Sequence, residues 1–364
     1  MSAGPAAEAR PEARPEARPE LAGLAAYSSV APGPVPVRVR ASSNEAPGGL
    51  VGPVLEAALA AVAGGSRYPL IGGAELASAL ATSLGVAEAS VAVADGALPL
   101  LDRVLMAYVR PGDEVVMAWR SYEAYPLSVQ IAGGRSVQVP LTESGVHDLA
   151  AMAAAVGPST RMVIVCNPNN PTGTVVAWPD LVDFVDALPR DVLVVLDEAY
   201  TEYDDRARPD AASLAALVAR GNVIVLRTFS KAHGLAGLRA GYLVAAPAVA
   251  ATVRSVLPPF PVSSVAVAAA RASLEHPSVL GDRVAATCEE RSRVVALLAA
   301  RGLAGPTSYA NFVWLPLGER SLEFAELCRE HGLLVRPFAG EGVRITVGEP
   351  DLRAVLAEVL AAWG

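Results

Sequence analysis

Lys231 is the only lysine in 364 residues, and all the remaining members of the 29 lysine and arginine residues are arginine. A guanidinium cannot lose its proton in a protein, so the one place kept as lysine is the place where a free amine could act as nucleophile or base. The surrounding stretch RTFSKAHGLAGLRAG, Arg227 to Gly241, adds the hydroxyls of Thr228 and Ser230 and, eight positions after the lysine, Arg239, three groups that could grip a phosphate. A surviving surface lysine is the bland alternative. Upstream lie two further clusters able to do chemistry: Asn167-Pro168-Asn169-Asn170-Pro171-Thr172-Gly173 and Asp197-Glu198-Ala199-Tyr200. Each has an ordinary reading as well, the first as a plain turn and Asp197 as a helix N-cap or a metal ligand.

For these groups to meet, the chain must carry them on elements that end at one edge. Short apolar runs at 91–93, 114–117, 136–140, 162–166, 192–196, 223–226 and 241–244 read as strands, with helices at 50–63, 74–84, 100–109, 122–132, 149–156 and 181–187. Such alternation implies an α/β fold, a mostly parallel sheet covered by helices, with ligands at the carboxyl ends of the strands. The three clusters follow the strands 162–166, 192–196 and 223–226. A fourth feature, the tight turn Asp95-Gly96-Ala97-Leu98 ahead of Pro99 and the helix 100–109, offers free amides and the positive end of a helix dipole, although such turns also join elements without binding anything. Before the sheet, 35–39 reads as a possible strand, Ser43-Asn44-Glu45 leads into the first helix, and Arg67-Tyr68-Pro69 forms an exposed turn in which tyrosine is more often packing than ligand contact. From about Arg254 a helical region broken at Pro277 runs to Arg301, and strands at 311–315 and 343–347 flank a helix at 322–331, a second domain of α+β type.

Composition bounds what partners are expected. A net charge of −8 and a pI near 5.2 argue against nucleic acid, and charged residues interrupt every apolar run before it reaches membrane-spanning length. Cys166, Cys288 and Cys328 are odd in number and sit in apolar or helical surroundings, which suits reduced core residues in a cytoplasmic protein and no metal site. No secretion signal opens the chain, and the repeat AEARPEARPEARPE at 7–20 reads as a disordered tail over 1–17.

Taken together, the lone amine, the phosphate-gripping groups, a carboxylate and neutral donors answer the needs of pyridoxal 5'-phosphate, whose pyridine nitrogen must be kept protonated and whose ring oxygen needs hydrogen bonds. Asp197 supplies the first, and Asn170 with Tyr200 the second. At this point the chain resembles the fold-type I pyridoxal-phosphate enzymes, specifically class I/II aminotransferases of the histidinol-phosphate aminotransferase branch, over residues 18–364. Within that branch it is most similar to aromatic (phenylalanine) aminotransferases of actinobacteria, through RPELAGLAAY, SSNEAP, RYP, AWRSYEAYP, NPNNPTG, DEAY, RTFSKAHGLAGLRAGY and FAGEGVRITVGEP.

The resemblance implies a sheet of the seven-stranded type sandwiched by helices, a large domain at 46–253, and a small domain formed by an arm at 18–45 with 254–364. It makes Lys231 the Schiff-base lysine, Asp197 the pyridinium partner, Asn170 and Tyr200 the ligands of the ring oxygen, and Tyr122 the ring that stacks on the cofactor. Gly96, Ala97, Thr228, Ser230 and Arg239 would hold the phosphate; Tyr68 would reach the phosphate of a neighbouring subunit, implying a homodimer with shared sites. Arg344, Asn170 and Tyr27 would contact substrate. From the residues alone, Arg344 is either a structural arginine paired with a carboxylate such as Glu341 or a bidentate fork for a substrate carboxylate. The chain departs from the family pattern at Asp95, where asparagine is usual, and at Leu98-Pro99, where an acidic pair is usual. The implied reaction is ping-pong transfer of an amino group between an aromatic amino acid and 2-oxoglutarate. Rivals are a histidinol-phosphate donor, a decarboxylase of the same fold, and a pyridoxal-phosphate-sensing regulator, which would carry a basic DNA-binding domain in front where this chain has 17 residues that are not net basic.

Overall fold

The computed structural model describes residues 18, 21, 23, 24, 30–33, 35–206 and 209–364; the expected tail at 1–17 and Tyr27 lie outside the described residues. Strand β1 (Val39–Ala41) is followed by β2 (Val91–Ala94), β3 (Glu114–Trp119), β4 (Arg135–Pro140), β5 (Thr160–Cys166), β6 (Leu193–Asp197), β7 (Val223–Thr228) and β8 (Gly241–Ala245), then by β9 (Phe312–Leu315), β10 (Leu333–Phe338) and β11 (Gly342–Thr346). Among the described residues seven of these make one sheet in the order β2-β8-β7-β6-β5-β3-β4, and four make another in the order β1-β10-β11-β9. The larger sheet is parallel from β7 through β4, and β8 runs antiparallel to both of its neighbours.

Helices cover both faces of a parallel sheet, so its inner strands are apolar without interruption. Accordingly every residue of β6 is buried, and β5 and β7 each have one partly open position. Successive side chains point to opposite faces, which splits the core in two: Val163, Val165, Val194, Leu196 and Val225 pack on one side, Met162, Ile164, Val195, Ile224 and Leu226 on the other. The smaller sheet packs against the helices Pro277–Ala299, Ser321–Glu330 and Leu352–Ala362 around a third cluster that includes Val313, Phe324, Ile345 and Leu356. No helix among the described residues is long and apolar enough to cross a membrane.

Several boundaries differ from the sequence reading. The expected strand at 35–39 forms only from Val39, where pairing with β10 begins at Leu333. The helical region from Arg254 is three helices, Pro247–Ser255, Ser264–Glu275 and Pro277–Ala299, and Pro277 opens the last of them because its missing N–H is harmless in a first turn. β10 carries no strand assignment in the sequence reading, and it contains Pro337. In the fold Pro337 pairs only with β11, beyond the residues that β1 engages, so no ladder bond to β1 is lost. The helices Ala211–Val218 and Leu352–Ala362 also go unassigned from sequence.

Gly241 stands between Ala94 of β2 and Thr228 of β7, joining the two turns that follow those strands. A Cβ there would lie 2.6 Å from the Ala97 amide nitrogen and 2.6 Å from the Gly96 carbonyl carbon, both rigid backbone. Gly241→Ala is therefore expected to destabilise the fold by about 1–3 kcal/mol through overpacking. Denaturant unfolding measures this, and an unchanged midpoint would refute the close approach.

Candidate active site

The parallel strands end at a cavity of about 380 Å³ lined by Ala97, Tyr122, Asn170, Asp197, Tyr200, Thr228, Ser230, Lys231, Arg239 and Arg344. Asp197 is the last residue of β6 and Thr228 the last of β7, so the strand ends themselves aim these side chains. At one end of the cavity the helix Ala97–Tyr108 starts at Gly96 with no side-chain cap, which by position leaves its first amides without an intrahelical partner. Gly96 has φ +131° and a Cβ on it would lie 2.6 Å from an Arg239 guanidinium nitrogen, so only glycine lets that cation cover the turn. Arg239 itself is left-handed at φ 59°, and its Nη1 donates to the Ser230 hydroxyl at 3.4 Å and the Ala236 carbonyl at 3.0 Å. The Thr228 hydroxyl accepts from the Ser230 amide at 3.1 Å, folding the turn so that both hydroxyls face the same space.

In the cavity's floor, Asp197 Oδ2 accepts from the Tyr125 hydroxyl at 2.6 Å and Oδ1 from the Ala199 amide at 3.1 Å. Burial raises the carboxyl's pKa, opposed by those two hydrogen bonds. Cys166 beside it is pushed up to about 12, by burial first and then by the Asp197 charge, so its thiol stays protonated. Lys231 Nζ donates to the Ser43 carbonyl at 3.1 Å. Its pKa is lowered to about 8, by burial foremost and then by the Arg344 charge, with Glu45 opposing. Above it the Tyr200 hydroxyl accepts from Asn44 Nδ2 at 2.9 Å; burial raises the phenol's pKa and the Arg344 charge opposes the rise. The buried Arg344 donates from Nη1 to Asn170 Oδ1 at 2.5 Å and from Nη2 to the Ser42 carbonyl at 2.6 Å. The Glu341 carboxylate is held by Arg120, and the Arg344 contacts just named are to neutral oxygens.

Tyr68 is not brought to this cavity; it is 81% exposed and stacks on Phe260 with ring centroids 4.4 Å apart. Of the departures from the family pattern, Leu98 lines the cavity, whereas Asp95 faces a separate groove with Asp102. Sequence reasoning missed Asn44, Glu45, Ser43 and Tyr125. Asn44 is the most connected of these: left-handed at φ 55° and 1% exposed, it also accepts the Thr346 hydroxyl on Oδ1 at 2.9 Å and the Asn311 side-chain amide on its carbonyl at 3.1 Å. Its only trace in the sequence is the polar run SSNE before Pro47. Among the described residues no group of His, Cys, Asp and Glu is placed to hold a metal ion.

Residues 39–360 match the family model for aminotransferase class I and II. The aromatic amino acid aminotransferase of Thermobifida fusca is 52% identical over 320 residues, 88% of each chain, and that of Streptomyces coelicolor is 50% identical over 325 residues, 89% of this chain and 90% of the other. Among solved structures, histidinol-phosphate aminotransferase from Sinorhizobium meliloti in complex with pyridoxal-5'-phosphate superposes with a TM-score of 0.84 at 33% identity, covering 90% of this chain and 92% of that one. Aspartate aminotransferase from Thermus thermophilus with maleate gives 0.77 at 26% identity over 89% and 92%. With its sole lysine, a buried carboxylate and a buried arginine around one cavity at the strand ends, the chain belongs to the class I and II aminotransferases.

Proposed function

We propose that this aminotransferase binds pyridoxal 5'-phosphate and moves the amino group between an aromatic L-amino acid and 2-oxoglutarate in a ping-pong cycle. The observation that carries the reading is that the sole lysine opens on the same cavity as buried Asp197 and buried Arg344. The residues fit the cofactor: the uncapped helix start at Gly96 and Ala97, with Thr228, Ser230 and Arg239, would take its phosphate, and Asp197 would hold the proton on its ring nitrogen. Asn170 and Tyr200 would hydrogen-bond the ring oxygen, and Tyr122 would cover the ring's face. When bound, the cofactor supplies a carbonyl for the amine and an electron-accepting ring.

Arg344 would pair with the α-carboxylate through two parallel N–H bonds, with Asn170 already positioned on it. Because the same fork serves donor and acceptor, the two acids must occupy the site in turn, which is the ping-pong order. Lys231 acts on the Cα proton as a neutral amine, and a pKa of about 8 gives it a substantial neutral fraction near neutrality that an ordinary lysine lacks. The aromatic donor rests on the relatives of about half identity, and histidinol phosphate is the second reading, favoured by the structural neighbour that carries that name. The three free cysteines suit the reducing cytoplasm in which we place the reaction.

The proposal includes a homodimer. The helix Gly52–Ala63 buries Val54 and Ala58 but exposes Leu55, Leu59 and Val62, a second apolar stripe, and the following segment exposes Tyr68, Leu70 and Ile71. A second copy covering this stripe would also give Tyr68 the place beside the neighbouring phosphate.

Lys231→Arg should abolish the borohydride-reducible visible chromophore of the purified enzyme and its turnover with phenylalanine, tyrosine, histidinol phosphate and aspartate alike. A variant that kept the chromophore would sink the cofactor assignment, whereas a wild type preferring histidinol phosphate in that panel would overturn only the donor. Labelling lysine at Cε gives one resonance from the whole chain, and in cofactor-free protein it should titrate near 8 rather than at the ordinary 10.5. The base is charged below that midpoint and neutral above it, so a midpoint near 10.5 contradicts the buried amine. Leu59→Glu should convert a dimer to a monomer in sedimentation velocity, and a wild type that sediments as a monomer at micromolar concentration removes the shared site.

A further inference from the structure

The two segments Trp119-Arg120-Ser121 and Gly340-Glu341-Gly342 lie 221 positions apart, measured from Arg120 to Glu341, yet their side chains meet. Arg120 Nε donates to Glu341 Oε2 at 2.9 Å and to Oε1 at 3.1 Å, and its Nη2 also bonds Oε1. A second pair crosses the same gap with the charges exchanged: Arg336 donates to Glu123 Oε2 from Nη2 at 2.9 Å and from Nε at 3.2 Å. Arg120 and Glu123 belong to the loop that follows β3 and carries Tyr122; Arg336 and Glu341 belong to the hairpin of β10 and β11 that carries Arg344. Each side therefore offers one cation and one anion to the other.

Aromatic rings back the first pair. The Arg120 guanidinium lies 4.4 Å from the Trp119 ring centroid and 5.3 Å from that of Phe338, and Phe338 meets Trp314 edge-on at 5.3 Å. Gly342 is needed for this packing, since a Cβ would lie 2.5 Å from the Trp314 ring. Arg336 is the direct cross-strand partner of Arg344, and residues directly opposite in an antiparallel pair share a face, so a pull on Arg336 is transmitted to the strand position of Arg344. On the other side, Ser121 donates to Asn169 Oδ1 at 2.8 Å, and the Asn169 amide donates to the Arg120 carbonyl at 3.1 Å, which fixes the loop to the turn that presents Asn170.

We propose that Arg120–Glu341 and Glu123–Arg336 form a reciprocal clasp that sets the position of Arg344 against Asn170, making these four side chains positioning residues for recognition of the substrate carboxylate. This rests on the reading of Arg344 as the carboxylate fork. The pairs are partly open, with side-chain exposures of 20% and 38% for Arg120 and Glu341 and 13% and 27% for Arg336 and Glu123, so removing one carboxylate charge leaves its partner arginine access to solvent. Two clasps on one rigid hairpin back each other up, and loss of both should exceed the product of the single losses.

The test uses the holoenzyme with Glu341→Gln, Glu123→Gln, the two combined, and the exchange Glu123→Arg with Arg336→Glu, beside Arg344→Lys as reference. Two carboxylate ligands, 3-phenylpropionate and maleate, are titrated by calorimetry, and KM and kcat are measured for phenylalanine and 2-oxoglutarate. Each single Gln variant should weaken both ligands two- to fivefold, and the double variant more than the product of the two single losses, at least thirtyfold. KM should rise in parallel while kcat, the visible spectrum and Tm hold, and the exchanged pair should recover most of the affinity. If the double variant binds both ligands as wild type does while Arg344→Lys weakens them, the clasp is overturned and the fork stands. Should Arg344→Lys bind both ligands normally, the fork reading fails and the clasp's role in recognition falls with it. A double variant that loses kcat, spectrum and Tm together would make the pairs structural and overturn the proposal.

Discussion

A carboxylate at the end of a strand that is buried along its whole length needs donors or a cation, because an isolated charge in such surroundings shifts its pKa until it is neutral. Asp197 is in that position, and the Tyr125 hydroxyl and Ala199 amide meet part of the need while burial still pushes its pKa up. What remains is a preference for a cationic partner directed into the cavity, and much of the surrounding architecture keeps that direction fixed. Tyr125 comes from the helix Ala124–Ala132, itself 1% exposed, and its ring also meets Tyr122 edge-on at 5.4 Å. The tyrosine that hydrogen-bonds the carboxylate and a second tyrosine lining the cavity are thus held against each other, Tyr125 in the first turn of the helix and Tyr122 in the loop just before it.

The roof depends on a different constraint, that the two ends of the chain be brought together. β1 pairs in parallel with β10, which places Ser42, Ser43, Asn44 and Glu45 directly over the strand ends of the larger sheet. Asn44 then ties Tyr200, Thr346 and Asn311 to one another through side chain and backbone. These contacts span 156 to 302 positions in sequence, so the cavity is complete only when both sheets and the arm have folded.

That distance explains what the sequence could and could not reveal. Lys231, Asp197 and Asn170 were legible because each follows an apolar run short enough to be a strand, and in an alternating β/α chain strand ends converge. The glycine at 96 and the arginine at 239 each read from the sequence as a candidate phosphate contact, and the fold adds that the glycine admits the guanidinium. Tyr125, Asn44 and the Arg120–Glu341 pair were not, because nothing local distinguishes a tyrosine that hydrogen-bonds a carboxylate 72 positions away from one that merely fills a core. β10 went unassigned, and its Pro337 is tolerated because of which side of the strand has a partner. Tyr68 reads from sequence as a turn residue, and in a single chain it behaves as one.

The distribution of cations follows from the same chemistry. Tasks that call for a permanent charge and a planar fork fall to arginine: Arg227 donates to the buried Glu198 at 2.7 Å beneath the site, Arg291 reaches the Tyr203 and Ala310 carbonyls at 3.2 and 2.9 Å, and Arg344 spans Asn170 and Ser42. None of these could be allowed to deprotonate, since each holds backbone or side-chain oxygens that would be left buried without a donor. Lys231 has the opposite requirement. In the role proposed for it the amine gives up its proton, and burial with the nearby Arg344 and Arg239 charges makes that easier, while Asp197 and Glu45 keep the shift from going further. A second lysine in the cavity would titrate in the same field and share the proton, so confining the labile amine to one residue among fixed cations keeps its titration its own.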